Sequence, residues 1–208
     1  MDRDLFESVN RFAVRTPWLH GTASAYATYG IVAFAGLLVW AWVRARRVGD
    51  LRGQAGLLWA GLAPLVALLV GIAIHVFIDR PRPYAALPHI EVLVARTTDG
   101  SFPSDHSLAV GAVAAGIWLV DRTVGGVAFV LAILMAVTRV YAGAHYPSDV
   151  VAGLLISAAV AVAGARLVRP PVERLLGSVS RVPLVALLAG RATGHRQTAP
   201  DGHVRVGP

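Results

Sequence analysis

Three clusters of ionisable residues sit at the ends of long apolar runs, where polar groups are costly and are usually functional. They are His75 with Asp79-Arg80-Pro81-Arg82-Pro83, then Phe102-Pro103-Ser104-Asp105-His106, and then Thr138-Arg139 with His145 and Asp149. The third reads arginine, five residues, histidine, three residues, aspartate. Pro147 suits the first turn of a helix, where an N–H is not needed, and it forces Tyr146 to be extended. Asp149 then falls in that first turn. From there a carboxylate can reach back to His145, accept a hydrogen bond from one ring nitrogen, fix the tautomer and leave the other nitrogen free to attack. The plainer alternative is that the pair only caps the helix.

In the second cluster Ser104 or Asp105 can cap the helix that follows, whose free N–H groups form an anion site suited to phosphate. His106 lies beside it in the first turn, placed to protonate a departing oxygen and later to deprotonate water. Taken alone, Pro-Ser-Asp-His is also simply a good helix start. In the first cluster two X-Pro pairs hold Arg80 and Arg82 in an extended segment with side chains directed alternately. One guanidinium can fork onto phosphate oxygens, since its planar donors match phosphate and stay charged at any working pH. Arg80 could instead anchor the chain at lipid headgroups. His75 could pair with Asp79 on one helix face or be a second phosphate ligand.

These side chains need helices to carry them, and the sequence supplies five uncharged runs: 21–43, 53–78, 107–120, 123–138 and 150–165, the second broken only by His75. The first two are long enough to cross a bilayer, and the shorter three can do so with tilt, local thinning or snorkelling ends. The expected fold is all-α, a polytopic membrane helix bundle of five to six spans. Residues 1–20 are expected to form an interfacial amphipathic helix ended by Pro17. There Leu5, Phe6, Val9, Phe12 and Ala13 recur at helical spacing against Asp4, Glu7, Ser8 and Arg11. A transmembrane domain over 21–168 follows. Residues 169–208 then read as an Arg-rich cytoplasmic tail, partly disordered, with an apolar stretch at 182–190 at the interface.

Composition narrows the class. Apolar residues are 56% and charged residues 15%, a balance that a water-exposed surface could not tolerate over such long runs. The absence of cysteine excludes disulfides and thiolate metal sites. All 19 basic side chains are arginine. Between apolar spans such a balance fits lipid headgroups rather than nucleic acid. Residues 1–20 lack the apolar core and cleavage site of a signal peptide, so the first span is expected to serve as its own insertion signal. With five spans, one side collects 12 arginines: four in 44–52, Arg122, and seven from Arg166 onward. The other side holds seven. The excess marks the first side as cytoplasmic and puts 79–106 and 139–149 outside, so all three clusters share the outer face.

Together the clusters closely resemble the signatures of the type 2 phosphatidic acid phosphatase family, Lys-x6-Arg-Pro, Pro-Ser-Gly-His and Ser-Arg-x5-His-x3-Asp. Here they read His75-x6-Arg82-Pro83, Pro103-Ser104-Asp105-His106 and Thr138-Arg139-x5-His145-x3-Asp149. The resemblance implies a membrane lipid phosphatase in which His145 becomes phosphorylated, Asp149 orients it and His106 acts as acid and then base. Arg82, Ser104 and Arg139 would bind the phosphate, and neither metal nor cofactor would be required. Three departures stand out: His75 replaces a lysine and is charged only when protonated, Thr138 replaces serine, and Asp105 replaces glycine. Asp105, with the Arg80-Pro81-Arg82-Pro83 doublet, looks like the bacitracin-resistance branch of undecaprenyl-pyrophosphate phosphatases. That implies polyprenyl pyrophosphate as the substrate, hydrolysed to the monophosphate at the outer membrane face while the lipid tail stays in the bilayer. Other lipid phosphates are the rivals: phosphatidylglycerophosphate, phosphatidate or a prenyl-linked sugar phosphate. An anion or lipid transporter is a remoter alternative, because such sites often lie near the midplane within internal repeats, and no repeat is visible. Haloperoxidases share the three motifs but are soluble.

Overall fold

In lipid a backbone N–H or C=O has no water to bond, so a crossing segment must satisfy its polar groups internally, and the apolar runs fold accordingly as helices. The computed structural model describes residues 1–179. In chain order its elements are α1 (Asp2–Arg15), a 3-10 turn (Pro17–Leu19), α2 (His20–Tyr29), α3 (Ile31–Arg47), α4 (Leu51–Phe77), α5 (Pro83–Ala86), α6 (Asp105–Trp118), α7 (Arg122–Tyr141) and α8 (Pro147–Val179). Every element among the described residues is thus helical. Side chains set several starts. Asp50 accepts the Gly53 N–H at 2.8 Å before α4, and Asp121 accepts the N–H groups of Thr123 and Val124 before α7.

At the centre stands α6, packed against α4, α7 and α8. It is buried on nearly every side from Ser107 to Ile117, as expected of a helix that is apolar all round. Small residues let its neighbours approach: a Cβ at Gly116 would lie 2.6 Å from the Cβ of Ala60 in α4. Outward, α4 presents Leu58, Leu62, Leu65, Leu69, Ile72 and Val76 as one exposed apolar stripe. Such a stripe would be a liability in water and is at home against acyl chains.

Span count departs from expectation. Three helices, α4, α7 and α8, are long and apolar enough to cross a membrane, and a fourth span results if α2 and α3 with the preceding turn, bent by 54°, count as one. The shortfall against five to six comes from the 107–120 run, which forms the 14-residue α6. At about 1.5 Å per residue it reaches roughly 21 Å, short of the ~30 Å of bilayer hydrocarbon. Being enclosed by other helices, it has no need to touch both faces.

The two ends of the described chain extend the bundle. The amphipathic repeat of α1 is divided: Phe6 and Ala13 are buried in the protein, while Leu5 and Phe12 face outward. At the far end α8 runs through Pro170 and Pro171 to Val179. Those prolines leave the carbonyls of Arg166 and Leu167 without helical donors. Both residues are exposed, where other donors can reach them. The expected apolar stretch at 182–190 and the tail from Arg191 lie outside the described residues.

Candidate functional site

The C-terminal ends of α4 and α7 and the N-terminal ends of α6 and α8 meet at one end of the bundle, so the three clusters converge although they are far apart in sequence. After α4 the chain is extended at Arg82 (φ −65°, ψ 153°), and Pro83 opens α5. The X-Pro pairs send the two guanidinium groups to different targets. Arg82 is 6% exposed and donates through Nη1 to His145 Nε2 at 3.0 Å and to the Ala144 carbonyl at 3.3 Å, and through Nη2 to Asp99 Oδ2 at 2.8 Å. Arg80 turns away to donate to Asp149 Oδ1 at 2.6 Å, Ser148 Oγ at 2.7 Å and Asp2 Oδ2 at 2.5 Å, with its guanidinium 4.0 Å over the Tyr146 ring. Of the two arginines in the first cluster, only Arg82 therefore faces the histidines.

His145 is placed by the turn between α7 and α8. Gly143 has φ +78°, and a Cβ there would collide with the Glu91 carbonyl, so only glycine fits this close approach. Pro147 starts α8 as expected, and Asp149 in its first turn accepts the Tyr146 N–H at 2.8 Å, a reach-back that caps the helix. The expected hydrogen bond from the His145 ring to Asp149 is not formed: Nδ1 and Oδ2 are 3.8 Å apart. Nδ1 instead donates to the Ser101 carbonyl at 2.9 Å, while Oδ2 is held by the Ser101 hydroxyl at 2.5 Å. An Nδ1–H tautomer leaves the Nε2 lone pair facing Arg82. Burial, reinforced by Arg139 and Arg82 and opposed by Asp149, pushes the His145 imidazole below its ordinary value, so the ring is held neutral.

Around Nε2 the remaining groups are mostly basic. Arg139 is 8% exposed; its Nη1 reaches the Ala27 carbonyl at 3.5 Å, and its Nε has no protein partner among the described residues. His106 lies within electrostatic reach of Arg139, His145 and Arg82. Ser104 is fully buried and caps α6, with its Oγ 3.5 Å from the Ser107 nitrogen, while its own N–H donates to the Asp149 carbonyl at 3.1 Å. A buried guanidinium atom without a partner, a second guanidinium and a helix N-terminus form a cradle for a multiply charged oxyanion. His75 does not meet the exposed Asp79; its Nε2 faces Asp105 Oδ1 at 3.6 Å, too far for a hydrogen bond.

Sequence reasoning missed Ser101, Asp99 and Asp2, which hold the histidine, Arg82 and Arg80 respectively. None belongs to a motif, although Ser101 lies three residues before Ser104. No group of three or more His, Cys, Asp or Glu suited to a metal ion occurs among the described residues.

The PAP2 superfamily profile matches residues 56–172. The chain is 26% identical over 157 residues to undecaprenyl-diphosphatase BcrC of Bacillus subtilis (strain 168), covering 76% of this chain and 79% of that protein. Its fold is similar to that of the crystal structure of Aquifex aeolicus LpxE, with a TM-score of 0.61, 24% identity and coverage of 78% and 93% of the two chains. It is also similar to the first transmembrane PAP2 type phosphatidylglycerolphosphate phosphatase from Bacillus subtilis, with a TM-score of 0.58, 19% identity and coverage of 86% and 88%.

The division of labour between the arginines is testable with orthovanadate, a phosphate mimic, by calorimetry on the detergent-solubilised protein. Arg82→Ala and Arg139→Ala should each weaken binding by about ten-fold or more, the worth of a charge-assisted hydrogen bond. Arg80→Ala should weaken it far less, and equal losses in all three would return Arg80 to the cradle.

Proposed function

Because the chain belongs to the PAP2 superfamily, we propose that it hydrolyses a polyprenyl pyrophosphate, undecaprenyl pyrophosphate foremost, to the monophosphate through a phosphohistidine at His145. The chain is a PAP2-type membrane lipid phosphatase, and three or four of its helices can cross a bilayer. The observation that carries this reading is the His145 ring, fixed through Nδ1 on the Ser101 carbonyl with Nε2 3.0 Å from the Arg82 guanidinium. The pyrophosphate choice is supported by the similarity to undecaprenyl-diphosphatase BcrC, and by Asp105 with the Arg80-Pro81-Arg82-Pro83 doublet.

In this mechanism the terminal phosphate draws Arg82 off Nε2 and onto its own oxygens, which Arg139, Ser104 and the start of α6 share. His145 Nε2 then attacks the terminal phosphorus and the bridging P–O bond breaks; His106, which burial and the nearby cations push down to about 4 before the anion arrives, takes up a proton as the phosphate binds and gives it to the departing lipid phosphate. Water next attacks the phosphohistidine and gives its proton to His106, releasing phosphate and restoring the neutral ring. Asp149 steadies the imidazole by its charge, and Arg80 pairs with the carboxylate from behind. His75 faces Asp105 at the start of α6, where its imidazole could meet a second phosphate group.

Phosphate release without added metal, compared across undecaprenyl pyrophosphate, phosphatidylglycerophosphate, phosphatidate and a prenyl-linked sugar phosphate, should be fastest for the first. His145→Ala should lower kcat roughly a thousand-fold or more, and full activity in that variant removes the nucleophile. Only a neutral ring attacks, and protonation on acidification removes it. Since the His145 value lies below 6.5, the rate should hold as pH falls past 6.5 and fail only at lower pH. An acid limb centred at 6.5 or above would contradict a buried nucleophile.

We also propose that the site faces the extracytoplasmic side. Arg44, Arg46, Arg47, Arg52, Arg122, Arg166, Arg169 and Arg174 lie toward the opposite end of the bundle, in the arrangement favoured for a cytoplasmic face. The chain has no native cysteine, so single probes are clean. In intact cells an impermeant maleimide should label Asp79→Cys, and should label Arg47→Cys only after permeabilisation; the reverse pattern inverts the topology.

A further inference from the structure

Ser101 is fully buried and spends all three of its polar groups within the candidate site. Its N–H donates to the Arg80 carbonyl at 2.8 Å, its carbonyl accepts the His145 Nδ1–H at 2.9 Å, and its hydroxyl donates to Asp149 Oδ2 at 2.5 Å. One residue therefore stands between the carboxylate and the imidazole that sequence spacing pairs directly. We propose that the Ser101 hydroxyl is a positioning group for the nucleophile: by holding Oδ2, it keeps Asp149 off Nδ1 and leaves the Nδ1–H donating to the Ser101 carbonyl. This deepens the reading of His145 as nucleophile and rests on it.

The physical case is a competition for one oxygen. Oδ2 has two donors, the Ser101 hydroxyl and the Tyr146 N–H at 2.8 Å, and lies 3.8 Å from Nδ1. Remove the hydroxyl, and the fully buried carboxylate keeps its charge but loses a donor. The nearest replacement is Nδ1–H. A ring drawn toward Asp149 leaves the Ser101 carbonyl, swings Nε2 away from Arg82, and holds a proton more tightly because the less-shared negative charge bears on it. The other charged and titratable groups around the pair stay in place. His145 is faced by Arg82 from the segment after α4, by His106 from α6 and by Arg139 from α7. Asp149 of α8 is faced by Arg80, which Asp2 of α1 shares. Being enclosed and directed at Asp149 and His145, Ser101 acts through the nucleophile and leaves substrate binding to the arginines.

The experiment uses the full chain in detergent with undecaprenyl pyrophosphate. Ser101→Ala should lower kcat on the order of ten-fold, with KM nearly unchanged. It should also move the acid limb of the rate profile upward by about half a pH unit or more. Ser101→Cys, which keeps the volume and a weak donor, should fall between it and the parent in both rate and limb. In an Asp149→Ala background the Ser101→Ala change should have no further effect, since the oxygen it serves is gone. A packing defect would lower activity without moving the limb and would add to the Asp149→Ala loss; either result overturns the proposal. Should Ser101→Ala fail to fold, Ser101→Cys carries the test, and an unmoved limb there overturns it equally. An inert His145→Ala beside a fully active, unshifted Ser101→Ala sinks the role of Ser101 alone. An active His145→Ala sinks the nucleophile reading itself.

Discussion

A carboxylate removed wholly from water is among the costliest groups a fold can hold, and the candidate site is organised around meeting that cost at Asp149. Its charge is balanced by Arg80 on one oxygen, and its other oxygen takes the Ser101 hydroxyl and the Tyr146 N–H. Each partner ties down a different stretch of chain. Arg80 fixes the segment leaving α4, Ser101 fixes the approach to α6, and the Tyr146 N–H fixes the start of α8. Through its second nitrogen Arg80 also holds Asp2 and seats α1 against the same end of the bundle, where Phe6 meets Tyr146 edge-on at 5.4 Å. Removing any one partner leaves a buried charge underserved, so these four elements are coupled in energy as well as in space.

Opposite Asp149 the balance of charge is reversed. Arg82, Arg139, His106 and His145 crowd together, and burial with mutual repulsion keeps His145 neutral. Those surroundings carry to lower pH a neutrality that an ordinary imidazole already has for the most part at pH 7. Asp99 meets part of the positive charge by pairing with Arg82, yet it is far more exposed than the arginine it holds. An oxyanion arriving in the cradle would compete for the same donors with more charge and more oxygens.

Much of this was legible in the residues. The helices follow from uncharged runs, the starts of α6 and α8 from Ser104 and Pro147, and the meeting of three clusters from their place at helix ends. Other features were not. The 107–120 run is apolar enough for a span, and only packing on all sides reveals a short helix enclosed by α4, α7 and α8. The spacing of His145 and Asp149 allows a direct hydrogen bond, yet an offset of under an ångström from bonding distance, taken up by Ser101, decides otherwise. His75 could have met Asp79 along its own helix, and instead faces Asp105 from another.

The amino-acid order thus dictates periodicity, polarity and the side of a helix or strand to which a residue belongs, because those depend on backbone geometry shared by every chain. It brought Arg80 and Arg82 to the site together and predicted that they would point in different directions. Which of them meets the carboxylate and which the imidazole was left to tertiary packing. Hydrogen bonds are made or lost within fractions of an ångström, and such distances between segments tens of residues apart are set only once the helices have closed against one another.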